Sequence, residues 1–458
     1  YKVCALKSFY DEDLMTYFEN RSSFSEVAAG RTVDENESVK RIGIKEFWEF
    51  NEFNTPNGNG YVEKSQGNFV YQQTDTSIAN EGFDIDLVRT YNSQASTKGT
   101  FGLGWSHDYD IELIEVSEDD PMLFSHVALK DGNGTIYHFT RDGGQNFVSS
   151  FGSYVGLTTE NTLKTKTVTV SAAGTNNSVD ISYWFLLHTK DGLRYYFDFS
   201  GQLVLMEENN GNFIIFEHDP NKGVLSKMRT NNNVTVDFIY NDGKNGTDPL
   251  TVKELLLPDG SKVQYEYSKP LFSTDRLLTK VTEISGNESI EYEYEYDKPL
   301  LSRQPRNLAV IKEANNKNQY KIEYDFENDR VTQAEYPNGE KFTFDYADDN
   351  TSTITKKYSG EEFVMGEKDF FDRVYGKCVK SITGVDSESA LAGTDETGLD
   401  VTTYTYRDNQ LASTVSTAQY HEINSDGYVV ENNGTKENKA EYTGSNPVKE
   451  TDLFPAPN

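Results

Sequence analysis

Runs in which every second residue is aromatic, set between Asp-Gly or Asn-Gly pairs, limit what this chain can become more than any other feature. In IEYEYEY, Ile290, Tyr292, Tyr294 and Tyr296 fall on one side, and Glu291, Glu293 and Glu295 on the other. KFTFDY sets Phe342, Phe344 and Tyr346 against Thr343 and Asp345, and QYKIEYDF sets Tyr320, Ile322, Tyr324 and Phe326 against Lys321, Glu323 and Asp325. A period of two belongs to a β-strand, and a turn dipeptide between two such runs is a strong hairpin signal.

The unit repeats. DGNGTIYHF begins at Asp131, DGLRYYFDF at Asp191, NGNFIIFEHD at Asn210 and NNVTVDFIYND at Asn232; DGSKVQYEYS begins at Asp259, NESIEYEYEYD at Asn287, NQYKIEYDF at Asn318 and NGEKFTFDYAD at Asn338. Looser copies start at Asp400 and Ser425. No stretch of ten residues carries a 3.6-residue period. The expected fold is all-β: hairpins joined into one long, twisted sheet.

The apolar supply agrees, because it is held in 29 Tyr and 27 Phe rather than in helix-forming Leu and Ala. A dry sandwich core has no use for so many hydroxyls. The tyrosine-rich faces therefore predict a sheet that is only partly covered, or one that lines a wet space. Ahead of the repeats, Phe47, Trp48, Phe50 and Phe53 form an aromatic cluster, and Asp11–Met15 reads as a helix start. The Thr55–Gly60 turn marks a boundary. Three parts are expected: a β-rich lead-in or plug over residues 1–60, a domain opening the repeat array over 61–125, and the repeat strip over 126–458.

The net charge of −31 repels phosphate backbones and anionic lipid, so neither nucleic-acid binding nor membrane insertion is expected. It suits a protein outside a cell or on its surface. No window approaches the roughly 18 apolar residues of a membrane span. The start at Tyr1 reads as a processed chain or an excised piece. The two cysteines, Cys4 and Cys378, form no disulfide framework, and their pairing is left open.

Chemistry-bearing residues are sparse in pattern. His107 beside Asp108, in FGLGWSHDYD, lacks the further ligands that a metal or acid–base site needs, and is read as part of a structural signature. The six histidines are scattered, and neither cysteine has an adjacent base. Glu291, Glu293 and Glu295 have the spacing of paired carboxylates but read as a solvated strand face. Asp131–Thr135 starts like a calcium loop without its later acids, and reads as a turn. Asn-x-Ser/Thr triplets at Asn133, Asn233, Asn245 and Asn287 would matter for glycans only in a eukaryotic source. No catalytic residue, metal or cofactor is expected.

Tyr324-Asp325 with Asn338-Gly339 and Tyr346, and again Tyr296-Asp297, resemble the YD repeats of Rhs proteins. RTYNS (Arg89, Tyr91, Asn92) and FGLGW (Gly102, Gly104, Trp105) resemble the segment that opens their repeat array, and the preceding EFWEFNEFNTPNGNGYVEKSQGN is similar to the lead-in of Gram-positive wall-associated members. The resemblance runs over residues 45–458. It extends more distantly to teneurins and to the shell proteins of insecticidal toxin complexes. By resemblance, the strip spirals into all or part of a hollow shell around a C-terminal toxin. The chain is then a non-enzymatic segment of a secreted or wall-bound polymorphic toxin acting in contact-dependent inhibition. Its partners are the cargo and the cell wall. Tyr292, Tyr294, Phe342 and Phe344 are expected to line or build the shell wall. The self-cleavage motif of the family has no match before Asn458. The alternative is a wall- or glycan-binding adhesin stacking sugars on Trp48, Trp105 and Trp184; a glycoside hydrolase has only the abundance of Asp and Glu behind it.

Overall fold

The computed structural model describes residues 6–11, 16–21, 42–44, 48–95, 98–114, 126–141, 145–149, 154–172, 174–189, 191–244, 246–270, 273–297, 307–314, 318–325, 327–347, 351–357, 362–372, 376–394, 396, 399–407, 410–423, 429–443 and 446–453. Cys4, Phe47, Asn245, residues 12–15 of the expected helix start and Phe326 lie outside them, while Asp11 ends a strand.

Among the described residues the chain is β apart from a one-turn helix, Glu388–Ala392. Twenty-six strands, from Glu112–Ile114 to Asn446–Leu453, form one antiparallel sheet in unbroken sequence order. A separate five-stranded sheet precedes it, built from Phe50–Glu52, Asn59–Glu63, Phe69–Ile78, Ile85–Asn92 and Trp105–His107. The strip therefore grows by local hairpins alone, as the turn chemistry implies. At Asn338-Gly339 the turn closes with Gly339 N–H donating to Tyr336 O and Asn338 Oδ1 accepting from Glu340 N–H; Gly339 takes φ +84°, open to glycine and strained for other residues.

The opposite ends of the hairpins are set by a second device. Opposite Tyr240, Tyr267, Tyr296, Tyr324 and Tyr406 the next strand carries one extra residue: Lys253, Thr279, Ala309, Thr332 and Ala412. Such bulges bend a strand and increase its twist. The next repeat then satisfies the carbonyl beside the bulge. Tyr267 O–H donates to Val252 O at 2.7 Å, and Tyr324 O–H to Leu308 O at 2.8 Å. Tyr240 does the same to Leu225 O and Tyr406 to Cys378 O. In the Tyr324-Asp325 pair the Asp folds the following loop: Asp325 accepts from Glu327 N–H and from the Asn328 side chain. Tyrosine bends the strip and links repeats; aspartate turns the chain.

The bent strip winds round the five-stranded sheet. Asn92 reaches Asn133 O, Asn232 reaches Glu81 O, and Val252 N–H donates to Thr100 O. Farther along, Leu103 N–H donates to Arg276 O, Val331 N–H to Gly67 O, and Lys64 pairs with Glu367. One continuous core results. It joins Phe53, Phe69, Tyr91, Phe101 and Trp105 of the opening residues to Tyr265, Tyr294, Tyr296, Tyr324 and Phe344 of the strip.

This corrects the reading of the tyrosine-rich faces as partly covered or wet. Tyr292, Tyr294, Tyr296 and Phe344 are buried and Phe342 is half-buried against the same core, so the strip's inner face is filled at this level by the chain's own opening sheet. Ile290, on the face of Tyr292 but beyond the cover, is exposed. A smaller core lies on the other face. There Val168 and Val170 of the long hairpin Tyr154–Ala172/Thr175–Thr189 cover Tyr196, Leu205, Phe213 and Ile215.

Candidate functional site

The centre of the wrapped core is polar. Arg89, on the strand Ile85–Asn92, is fully buried, and its Nε donates to Asp75 Oδ2 at 2.6 Å. Asp75 is the extra residue of a bulge between Thr74 and Thr76, which turns its carboxylate toward Arg89. The strip supplies the remaining partners. Tyr265 O–H donates to Asp75 Oδ2 at 2.6 Å, Arg89 Nη2 donates to Tyr294 Oη at 3.2 Å, and Tyr294 O–H donates to Gln73 Oε1. The guanidinium also lies 4.9 Å from the ring centre of Trp105 and 5.7 Å from those of Tyr265 and Tyr294. Trp105 Nε1–H donates to Tyr296 Oη at 2.9 Å, and Tyr91 Oη accepts from Leu308 N–H at 3.0 Å.

The hydroxyls that argued against a dry core are what the opening sheet needs. Burial pulls the Arg89 guanidinium down, but Asp75 and Tyr294 outweigh it and hold the group well above its usual value. Burial also raises the Tyr265 and Tyr294 hydroxyls, keeping them protonated donors. Beside them Glu283 is pushed up to about 7 by burial and by Asp75. Arg89 Nη1, Asp75 Oδ1 and Gln73 Nε2 are buried without a hydrogen-bond partner, so the cluster fixes one docking arrangement at an energetic cost.

The other signature residues stand around this centre. Asn92 accepts from Gly43 N–H and from the Asn68 side chain, and donates to Asn133 O, tying three segments together. Gly104 has φ +78°, and a Cβ there would lie 2.8 Å from the Tyr91 ring; at Gly102 it would lie 2.5 Å from Arg276 O. Tyr346 packs under Arg330, with its hydroxyl 2.7 Å from where a Cβ on Gly67 would stand. Tyr324, Asp325 and Gly339 act in the strip as described above.

Several features weighed in the sequence have plain structural explanations. His107 is buried between Phe101 and Phe238, and its Nδ1 accepts from Tyr109 N–H. Asp108 is pushed up to about 7 by burial and by the nearby Asp131 and Asp86. Glu291 pairs with Lys280, and Glu293 and Glu295 share Lys312, so the acidic face is a cross-strand ion-pair ladder. Asp131–Thr135 closes as a turn, with Asp131 N–H donating to Thr135 O. Among the described residues no three His, Cys, Asp or Glu stand together as a metal site. Trp48 and Trp105 are buried, which removes two of the three sugar platforms; Trp184 packs edge-on against Phe199.

Sequence reasoning missed Asp75, Gln73 and Lys64. The available signal was an Asp inside an otherwise strand-like run, but while Arg89 is 14 residues away, Tyr265 lies 190 residues further on.

Residues 60–139 match the family described as "Domain of unknown function (DUF6531)". The chain is 26% identical over 207 residues to a protein named tRNA nuclease WapA of Bacillus subtilis strain 168; the match covers 44% of this chain and 7% of that protein. It is also 26% identical over 178 residues to the tRNA3(Ser)-specific nuclease WapA of Bacillus spizizenii, covering 38% and 6%. The chain thus spans only about 7% of the length of these relatives. Among solved structures, TcdB2-TccC3 matches with a TM-score of 0.37 and 9% identity, over 98% of this chain and 30% of that one. The Photorhabdus luminescens Tc holotoxin pore carrying TccC3-D651A matches with a TM-score of 0.36 and 10% identity, over 89% and 26%.

Proposed function

We propose that this chain is an Rhs/YD-repeat protein and forms the self-plugged end of a toxin-carrying β-shell at a bacterial cell surface. The observation that supports this reading most directly is the winding of the repeat strip round the opening sheet through the Arg89 centre. A strip that must enclose something needs an end that is closed, and here the chain closes its own. Room for a cargo polypeptide then belongs where the strip continues past the opening sheet, along the strands from Gln410–Ile423 to Asn446–Leu453. In this reading the segment performs no catalysis. The nuclease activity in the relatives' names would reside in the much larger remainder of such proteins. An extracellular or wall location agrees with the net charge of −31.

The test is a growth assay on the polypeptide that the natural gene encodes after Asn458, produced alone and joined behind this chain. Toxicity alone that falls on joining is expected. Equal toxicity in both forms, or none in either, would count against a containing shell.

A further inference from the structure

Where the wound strip meets the start of the opening sheet, three charged side chains stand together, Lys64 and Asp369 buried and Glu367 partly exposed at their edge. Lys64 follows the strand Asn59–Glu63 and is buried; its Nζ donates to Glu367 Oε1 at 2.8 Å and stands 3.4 Å from Asp369 Oδ2. Glu367 and Asp369 are next-but-one residues of the strand Phe363–Phe371, so both face Lys64. The Asp369 side chain is 1% exposed, and neither of its oxygens has a hydrogen-bond partner of good geometry. Ser381, opposite Asp369 on the next strand, donates to Glu367 Oε1 at 3.3 Å. Cys378 is buried nearby. A buried carboxylate held by an ion pair without a hydrogen bond of good geometry is a poor way to hold two segments by charge alone.

We propose that Lys64 and Asp369 form a self-made isopeptide bond, with Glu367 as the proton carrier, covalently locking the strip onto its opening sheet. The three groups have the roles such a condensation needs: an amine nucleophile, a carboxyl electrophile and a general acid–base touching the amine. Within the cluster a proton passes from the Lys64 ammonium to Asp369, giving a neutral amine beside a neutral carboxylic acid. Nζ attacks Cγ; the new N–C bond forms as the carbonyl pair moves onto oxygen. Glu367 takes a proton from Nζ and returns it to the Asp369 hydroxyl, which leaves as water when the C–O bond breaks. One ammonium and one carboxylate become one amide and one water, with nothing oxidised or reduced. Burial helps at the start, since it pushes Asp369 up to about 6 even with Lys64 present. Lys64 itself is held above its usual value by Asp369 and Glu367 against its own burial, so the proton shift is the slow part. Of the other titratable groups near the cluster, Glu49 favours the charged lysine, while Cys378 and Tyr404, both raised first by burial, stay neutral.

The experiment is an intact-mass measurement on the purified full chain, followed by tryptic peptide mapping. A mass lower by one water is expected, with a branched peptide joining the segment around Lys64 to the segment around Asp369 and no cleavage after Lys64. Lys64→Arg and Asp369→Ala should restore the full mass and slow migration on a denaturing gel, and Glu367→Gln should leave most of the chain unlinked. A full mass with free cleavage after Lys64 in the unaltered chain would overturn the proposal. So would a water loss that persists in Lys64→Arg, because it would then arise elsewhere, for instance at an Asp-Gly turn. The mapping of the unaltered chain decides the matter even if a variant fails to fold.

Discussion

Arg89 shows what a single buried charge does here. It is held by Asp75 and by hydroxyls from strands far along the chain, and three aromatic rings approach it within 6 Å. Removing it strands Asp75. Arg89→Met should therefore lower unfolding stability by about 3–5 kcal/mol, read from the urea midpoint. Arg89→Lys should recover little, because an ammonium lacks the planar fork that serves Asp75 and Tyr294 together. Asp108 makes the opposite kind of prediction. Its folded pKa of about 7 lies above the ordinary carboxylate value, so the folded state holds the proton more tightly than the unfolded one. The stability it contributes is complete at pH values below about 4 and is lost as pH rises through 7. Asp108→Asn should accordingly raise stability relative to the unaltered chain at pH 8 by on the order of 2 kcal/mol, with the gain shrinking as pH falls and vanishing only below about pH 4. Urea titrations of both chains at the two pH values check it; an equal gap at both would contradict the burial argument.

At the scale of elements, the strip is a chain of couplings between repeats. The hydroxyl of Tyr267 serves the carbonyl beside the bulge opposite Tyr240, and that of Tyr324 serves the bulge opposite Tyr296. Tyr267→Phe and Tyr324→Phe should each cost about 1–3 kcal/mol, since each leaves a carbonyl unpaired at a bend. The double variant should be nearly additive, as the two sites share no partner. Gly339→Ala should cost about 1 kcal/mol or more through its φ of +84°. Both effects follow from units that were legible in the sequence. Alternation in Glu288–Tyr296 and the glycine turn at Gly339 depend on neighbours along the chain, so the strands, their faces and the strict hairpin order could be read from residues alone. The bulges could not. The extra residue opposite each Tyr, such as Thr279 or Ala309, has no distinguishing side chain; only the pairing register reveals it. The long hairpin Tyr154–Thr189 was passed over for a related reason: its turn rests on one glycine, Gly174, without the Asp-Gly or Asn-Gly pair.

For the whole molecule, the sequence misled on one point that matters. Tyrosine-rich faces read as wet because hydroxyls need partners, and the partners were assumed to be water. They are instead Asp75, Gln73, Arg89 and Trp105, placed there by the opening sheet. Pairings across some two hundred residues leave no local pattern. The Arg89 and Trp105 signature was visible as a signature of fold, but what it docked against was not. Strip and opening sheet form one cooperative body. Native-state hydrogen exchange on the full chain tests it most directly, by comparing the most protected amides of Ile85–Asn92 with those of Glu288–Tyr296 and Gln319–Asp325. All three should open with the same free energy and lose it together in Arg89→Met. Opening of Ile85–Asn92 at a clearly lower free energy, with the strip still protected, would show instead that the strip stands without the opening sheet.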